Sequence, residues 1–284
     1  MDLRSHPRLH RDQRGLSIVS LLDREILALM RRVSEEAIVP LYRALADDQI
    51  VAKAPGDVVT VADHAAEAML AEALAAFEPA LPVVGEEASH ADAAVQDALA
   101  GDCWIVDPLD GTRNFARGEP PFGIIIARAE GGVARSGWIY DCLSGRFCAA
   151  HEGHGAFVDG ERIEAQPTGE TPPVAAISLI FMDESRRETV KRRIAPHYRL
   201  TDIPYCAAEQ YPRLALGVND VSIFERTLAW DHAAGVLWLN EAGGKAARPD
   251  GSPYRVDEWE KPGLLGAASP ALWDDLAKRM ASLD

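Results

Sequence analysis

Apolar residues recur every four positions near the start of the chain, at Ile18, Leu22, Ile26 and Met30. This spacing predicts an amphipathic helix from about Leu16, which Pro40 bends or restarts. A second, alanine-rich helix is predicted over residues 62–77, with a cap at Thr60 or Asp63.

The pattern then changes to short apolar runs bounded by glycine, proline or acidic residues. Such runs predict β-strands, here over residues 82–85, 103–106, 123–129, 133–140, 146–150 and 155–158. In the second half, strands are predicted over 174–181 and 221–224, and helices over 184–195, 207–216, 231–242 and 271–283. This order indicates a layered α/β architecture in two lobes, with a boundary near residues 150–172.

Charge and composition argue against a nucleic-acid-binding protein and a membrane-spanning protein. The chain has 284 residues and a formal net charge of −15, which argues against binding nucleic acid through a basic surface. No apolar run approaches the roughly 18 residues that a membrane helix needs.

Residues 1–15 lack the apolar core of a secretory signal and are predicted to form a flexible leader. Residues 16–284 are predicted to form a single domain with two lobes, at about 16–160 and 161–284. The four cysteines form no C-x-x-C pair, which favours a reduced, cytoplasmic protein.

The segment at residues 104–115 carries the strongest chemical signal. An apolar strand delivers Asp107 to its end, and Asp110 follows three residues later. The two carboxylates can face one point, where they repel each other unless a cation lies between them. Gly111 allows a close backbone approach, and the amides of Gly111 and Thr112 begin a helix, a position that binds anions. This segment therefore predicts metal ligands and a phosphate site side by side.

Two weaker segments also place acids at the ends of elements. Glu86 and Glu87 follow the predicted strand at 82–85, and Asp231 begins an apolar helix. Each has an ordinary explanation when taken alone: surface charge for the two glutamates, and a helix N-cap for Asp231.

Three motifs, in this order along the chain, resemble the inositol monophosphatase family: GEE at residues 85–87, DPLDGT at 107–112 and WDHAAG at 230–235. The similarity extends over about residues 16–280, through EAGG at 241–244 and through Lys53, Asp57, Thr60, Asp63 and Glu67. DPLDGT is highly specific for the superfamily, and the other segments are weaker. The resemblance implies an α/β (α+β) fold, a layered α-β-α-β-α sandwich of the inositol monophosphatase and fructose-1,6-bisphosphatase type.

The resemblance also implies two or three Mg²⁺ ions, with the metal ligands Glu86, Asp107, the Leu109 carbonyl, Asp110, Asp231 and, in a supporting role, Asp57. The implied catalytic residues are Glu86, Thr112 and Asp107, with Glu86 and Thr112 activating water. The implied phosphate and substrate contacts are Gly111, Thr112, Arg113, Cys206, Ala207, Glu225 and Asp231. No covalent phosphoenzyme is expected, because D-P-L-D-G-T lacks the D-x-D-x-[TV] spacing of haloacid-dehalogenase phosphatases.

The chain departs from the family pattern at the substrate end. Arg113 stands where the family often has threonine, and it either reaches a second anionic group on the substrate or points to solvent. The segment between Glu225 and Asp231 is one residue shorter than in many relatives, and Cys206 replaces a hydroxyl that often lines the pocket. We therefore expect the chemistry to be kept and the specificity to differ.

Two other groups of residues have ordinary interpretations. His151 and His154 flank Glu152 in a predicted turn of the meander, where a surface position is expected, and no third ligand is near enough in sequence to suggest zinc. Trp104 and Trp230, which neighbour the acids, are expected to be packing residues.

Together these observations predict a Mg²⁺-dependent phosphatase that hydrolyses a small phosphorylated metabolite, foremost inositol 1-phosphate or a similar polyol phosphate. Histidinol phosphate, fructose 1,6-bisphosphate and 3′-phosphoadenosine 5′-phosphate are alternative substrates, and a regulatory binding protein of the same fold is an alternative function. A homodimer is expected by resemblance, with no membrane partner and no nucleic acid.

Overall fold

The computed structural model describes residues 20–54 and 57–283, so the predicted leader at 1–15 lies outside the described residues. Its α-helices are Leu21–Val33 (α1), Val61–Phe77 (α2), Glu86–Ala91 (α3), Thr112–Ala116 (α4), Glu184–Arg193 (α5), Ala207–Ala215 (α6), Ala229–Glu241 (α7) and Pro270–Ala281 (α8). Its strands are Ile50–Ala54 (β1), Asp57–Thr60 (β2), Val83–Gly85 (β3), Cys103–Asp110 (β4), Gly123–Glu130 (β5), Val133–Asp141 (β6), Phe147–His151 (β7), Gly155–Val158 (β8), Glu161–Ile163 (β9), Val174–Ile177 (β10), Arg199–Leu200 (β11), Val221–Phe224 (β12), Lys245–Ala247 (β13) and Leu264–Ala267 (β14).

The strands form two large sheets and one hairpin. Strands β3 to β9 follow one another in chain order in a seven-stranded sheet, in which only the β3–β4 pair is parallel. The second sheet has the order β11-β10-β12-β14-β13 and mixes parallel and antiparallel pairs. Strands β1 and β2 pair separately as an antiparallel hairpin.

Side-chain alternation along the strands separates the layers. Because successive strand residues face opposite sides of a sheet, Trp104 and Val106 pack in a core cluster with α1 and α2, whereas Ile105 packs in a second cluster with α6 and α7. A third cluster joins the far side of the five-stranded sheet to α5 and α8. The order of layers is therefore α1/α2, seven-stranded sheet, α6/α7, five-stranded sheet, α5/α8, which confirms the predicted α-β-α-β-α sandwich.

Most predicted elements are present, with local differences. Strand β10 ends at Ile177, four residues before the predicted end, and Phe181 beyond it is half exposed. The short strands β13 and β14 and the β1–β2 hairpin were not predicted. No helix among the described residues is both long and apolar enough to cross a bilayer.

A buried cluster of Asp23, Ser136, Trp138 and His151 connects α1 to the seven-stranded sheet through hydrogen bonds. Asp23 Oδ1 accepts a hydrogen bond from Trp138 Nε1 (2.7 Å) and lies 2.9 Å from His151 Nε2, while His151 Nδ1 lies 2.8 Å from Ser136 Oγ. Burial alone would raise the pKa of Asp23, but hydrogen bonds from His151, Trp138 and Ser20 hold it below its ordinary value. The prediction of a surface position for His151 is wrong, because its side chain is only 4% exposed.

Replacing Asp23 with Ala should lower the free energy of unfolding by about 3–5 kcal/mol, because it leaves Trp138 Nε1 and His151 Nε2 buried without their acceptor. Urea denaturation measures this change. Glu25→Ala, at an exposed position on the same helix, is the control and should cost no more than about 0.5 kcal/mol. Equal costs for the two variants would contradict the role given to the cluster.

Candidate active site

The end of β4 and the start of α4 build the centre of the site. Asp107 is only 1% exposed, and its Oδ1 accepts a hydrogen bond from the Leu109 amide at 3.1 Å. Gly111 then turns the chain with φ of 86°, and a Cβ there would lie 2.8 Å from the Pro121 carbonyl oxygen. The close turn therefore requires glycine, and the first amides of α4 that follow it have no acceptor within the helix.

Asp110 links this turn to α6. Its Oδ2 accepts a hydrogen bond from the Ala208 amide at 2.6 Å, in the first turn of α6, where a negative charge is favourable. Cys206, the N-cap residue of α6, is buried, and its Sγ lies 3.7 Å from the Asp110 carbonyl oxygen. These contacts bring Cys206 and Ala207 beside the DPLDGT segment, although Asp110 and Cys206 are 96 residues apart in the chain.

Glu86 is the first residue of α3, and Glu67 of α2 fixes that helix start. The Glu67 carboxylate accepts hydrogen bonds from the amides of Glu87 and Ala88, both at 2.8 Å. A Cβ at Gly85 would collide with the same carboxylate, so glycine is required between β3 and α3. Glu67 thus sets the position of the backbone that carries Glu86.

Asp231 lies in the first turn of α7, but it is not the helix N-cap, which is Leu228. Arg226 Nη2 lies 3.9 Å from Asp231 Oδ2. The neighbouring His232 is buried, with Nδ1 2.7 Å from the Tyr211 hydroxyl and Nε2 3.0 Å from the Arg226 carbonyl oxygen. Burial lowers the pKa of His232 to about 3, so this neutral ring orients the backbone around Asp231 and adds no charge.

Asp63 belongs to the site, although sequence reasoning treated it only as a helix cap and a family-pattern residue. It completes a capping box with Thr60 at the start of α2. Its other oxygen, Oδ1, lies 2.9 Å from Thr112 Oγ1, which also lies 2.8 Å from the Leu109 carbonyl oxygen. One hydroxyl proton can serve only one of these acceptors, so Thr112 keeps lone pairs that can accept a hydrogen bond from water.

One cavity of about 180 Å³ brings most of the predicted residues together. It is lined by Glu86, Asp107, Asp110, Gly111, Thr112, Arg113, Cys206, Ala207, Glu225 and Asp231. Leu109 is fully buried beneath it, and its carbonyl oxygen contacts Thr112. Residue 57 belongs to β2, but the Asp57 side chain lies outside the described part of the structure, so its predicted supporting role stays a prediction.

Asp107 and Asp110 in the cavity, and Asp63 beside Thr112, resist ionisation. Burial raises the pKa of Asp107 well above its ordinary value, and the charges of Glu86, Asp110 and Asp231 raise it further. Burial likewise raises the pKa of Asp110 to about 6, although the Ala208 amide opposes this shift, and raises that of Asp63 to about 7. Clustered acids with raised pKa values are typical of a site that binds a cation.

The donor chemistry of the site fits Mg²⁺. Within residues 20–54 and 57–283, no three His, Cys, Asp or Glu side chains form a ready metal-binding group. Glu86, Asp107, Asp110 and Asp231 nevertheless offer only oxygen atoms to one cavity, and backbone amides hold two of these carboxylates there.

A buried arginine that sequence reasoning missed supports the segment before α7. Arg248 is fully buried and donates hydrogen bonds to Thr227 Oγ1 and to the carbonyl oxygens of Glu258, Lys261 and Gly263, at 2.7–3.1 Å. No spacing or motif marks this residue in the sequence, because its partners lie 10–21 residues away. Its hydrogen bonds connect the Thr227 side chain to the loop at 258–263. They therefore restrain the backbone segment that leads to Asp231.

Comparison with known proteins agrees with this architecture. The chain belongs to the inositol monophosphatase family, whose model matches residues 24–282. It is 31% identical over 205 residues to the inositol-1-monophosphatase of Bacillus subtilis, covering 70% of this chain and 76% of that protein. It is 30% identical over 188 residues to the fructose-1,6-bisphosphatase/inositol-1-monophosphatase of Thermotoga maritima, covering 66% and 70%. The crystal structure of the extragenic suppressor protein suhB from Bartonella henselae has the same fold, with a TM-score of 0.76 and 24% identity over 90% of this chain and 97% of that one. Membership of this family supports phosphatase activity.

Proposed function

We propose that this protein is a Mg²⁺-dependent phosphatase that hydrolyses the monoester of a small phosphorylated metabolite. The observation that carries the proposal is the convergence of Glu86, Asp107, Asp110 and Asp231 with the start of α4 on one cavity. Acids alone would repel a phosphate, whereas acids that hold cations beside free backbone amides attract it. The use of metal ions by the family supports the same interpretation.

The family resemblance assigns the metal ligands to two sets that share Asp107. Glu86, Asp107 and the Leu109 carbonyl would hold one ion, and Asp107, Asp110 and Asp231 a second. When bound, Mg²⁺ supplies neutralisation of the phosphate oxygens, a more acidic water and stabilisation of the leaving alcohol oxygen. Asp107 belongs to both sets and is buried, so both ions would depend on it.

Glu86 and Thr112 orient the attacking water. The Thr112 hydroxyl is fixed by Asp63 and the Leu109 carbonyl, so its lone pairs face a defined direction in the cavity. Glu86 accepts a proton from the same water as its oxygen bonds to phosphorus. The bond from phosphorus to the alcohol oxygen breaks in that step, and the departing alkoxide takes up one proton from solvent, while Glu86 later releases to solvent the proton that it accepted. No residue becomes phosphorylated.

Gly111 and Thr112 hold the transferred phosphate. Their amides lie at the start of α4, where helix N–H groups have no acceptor within the helix. Because these donors are fixed by the turn at Gly111, they stabilise the charge on the phosphate oxygens without rearranging during the reaction.

Among substrates, a polyol phosphate such as inositol 1-phosphate is the first candidate, supported by the names of the relatives. Glu225, Cys206 and Ala207 line the cavity beyond the acids and would contact the alcohol part. A cytoplasmic homodimer is the accompanying expectation.

Phosphate release from a panel of inositol, sugar, histidinol and nucleotide phosphates, with Mg²⁺ or with EDTA, tests this function. We expect turnover of at least one compound only when Mg²⁺ is present. Release that is equal in EDTA would contradict the metal-dependent mechanism. No release from any compound by folded protein with Mg²⁺ would favour the regulatory binding protein instead.

A further inference from the structure

Arg226 lies beside one of the acids that are assigned to metal binding. Its Nη2 is 3.9 Å from Asp231 Oδ2, and both residues line the cavity. Backbone amides hold the carboxylates of Asp107 and Asp110, whereas Asp231 has a side-chain cation next to it. The inference drawn from this contact rests on the proposed function, because it takes Asp231 as a ligand of Mg²⁺.

The backbone of Arg226 is fixed by a residue of α7. Its carbonyl oxygen lies 3.0 Å from His232 Nε2, and His232 Nδ1 lies 2.7 Å from the Tyr211 hydroxyl. Because a carbonyl oxygen only accepts hydrogen bonds, Nε2 carries the proton and Nδ1 accepts the hydrogen bond of Tyr211. Both side chains are buried, so these hydrogen bonds are costly to break. They hold the backbone of Arg226 close to the first turn of α7, where Asp231 lies.

The side chain of Arg226 is held by an aromatic ring. Its Cζ is 4.0 Å from the centroid of the Phe181 ring, which belongs to the segment between β10 and α5. A guanidinium over a ring face is attracted to it and keeps its in-plane N–H groups for other contacts. The preceding residue, Glu225, pairs with Arg186 of α5 at 2.9 Å, so α5 restrains the same segment. Several elements of the fold therefore set the position of this guanidinium.

The contact between Arg226 and Asp231 balances charge but is weak. At 3.9 Å the two groups form an ion pair without a hydrogen bond. Their side chains are 34% and 19% exposed, so water screens part of the attraction. Mg²⁺ carries twice the charge and binds carboxylate oxygens directly, which allows it to replace such a pair.

We propose that Arg226 competes with Mg²⁺ for Asp231. The guanidinium balances the charge of this carboxylate before an ion binds, and an ion that binds must displace the guanidinium or work against its positive charge. Arg226 therefore sets the Mg²⁺ concentration at which this part of the site fills. The Phe181 ring contributes to that setting, because it holds Arg226 beside Asp231.

Isothermal titration calorimetry with MgCl₂, together with thermal unfolding in EDTA, tests the proposal without any measure of turnover. Asp231→Asn identifies the binding step that belongs to this carboxylate. Arg226→Met removes the charge but keeps an unbranched side chain that can pack on Phe181. We expect it to lower the Kd of that step about three- to tenfold, because a like charge near the ion is gone.

The same variant should be less stable than wild type when Mg²⁺ is removed. In EDTA at about pH 8, Arg226→Met should lower Tm by about 2–4 °C, because Asp231 loses its counter-charge. Arg226→Lys keeps the charge and should stay close to wild type in both Kd and Tm. A packing role alone would lower Tm without lowering Kd.

Phe181→Ala tests the part assigned to the ring. It should also lower the Kd, by less than Arg226→Met does, and it should have no further effect on Kd when combined with Arg226→Met, since the ring acts through the arginine. Arg117→Met is the matched control, because Arg117 is exposed at the end of α4 and does not line the cavity. It removes the same charge and should keep the wild-type Kd within about twofold.

An unchanged or higher Kd in Arg226→Met would overturn the competition, and so would an equal fall in Kd in Arg117→Met. An unchanged Kd in Phe181→Ala would overturn the role of the ring. If wild type shows no Mg²⁺ binding step that Asp231→Asn removes, the metal site of the proposed function is itself contradicted.

Discussion

Asp107→Asn should abolish phosphate release while making the metal-free protein more stable. Both proposed ions depend on this carboxylate, and loss of several kcal/mol of metal-based stabilisation lowers kcat by about a thousandfold or more. The same carboxylate is buried among Glu86, Asp110 and Asp231, which disfavour its charge. Removing that charge should raise the free energy of unfolding by about 1–3 kcal/mol at about pH 8 in EDTA.

The stability gain should depend on pH with a definite sign. Acids whose pKa is raised by folding bind more protons in the folded than in the unfolded chain, so their contribution to stability falls as pH rises. With the pKa of Asp110 at about 6 and that of Asp63 at about 7, wild-type protein in EDTA should lose stability from about pH 4 to pH 8. Asp107→Asn should lose less over this range.

Urea denaturation and phosphate release in EDTA and Mg²⁺ measure both effects. Asp97→Asn, an exposed carboxylate outside the cavity, is the control and should change neither. Retained turnover in Asp107→Asn, or a lower stability than wild type in EDTA at about pH 8, would contradict the assignment of Asp107.

Thr112→Val should lower kcat by about a hundredfold with little change in KM, because valine keeps the shape of threonine but cannot orient water. Asp63 and the Leu109 carbonyl hold the hydroxyl that is removed. Thr112→Ser keeps the hydroxyl and should retain kcat within about fivefold. Steady-state kinetics with the best substrate of the panel measures both.

The stabilisation of Thr112→Val by Mg²⁺ should equal that of wild type, since the carboxylates are intact. If Thr112 had a purely structural role, the valine variant would instead show both a smaller stabilisation by Mg²⁺ and a lower kcat. Equal kcat values for the valine and serine variants would contradict the role of the hydroxyl.

The sequence identified the parts of the site that lie in continuous segments. The strand ending at Asp107, the glycine turn and the helix start are encoded within residues 104–115, so local pattern was enough to predict them. Asp231 was harder, because an acid at a helix start is ordinarily a cap; only its shared cavity with Asp107 distinguishes the two interpretations.

Contacts between distant segments could not be predicted. Thr112 and Asp63 are 49 residues apart, and His151 and Asp23 are 128 apart, so no periodicity links them. His151 looked exposed because glycine and charged neighbours surround it, yet α1 covers it in the folded chain. Strands β13 and β14 have only three and four residues, too few for a recognisable alternation.

The most direct test of the account is a Mg²⁺ titration of wild type and Asp107→Asn in which thermal unfolding and phosphate release are recorded on the same samples. For wild type, Tm and turnover should rise together over one range of Mg²⁺ concentration, since the ions that bind the acids also act on the substrate. For Asp107→Asn, neither should rise over that range. Turnover without added metal, or equal stabilisation of both proteins by Mg²⁺, would contradict the claim that these carboxylates form the metal site of a phosphatase.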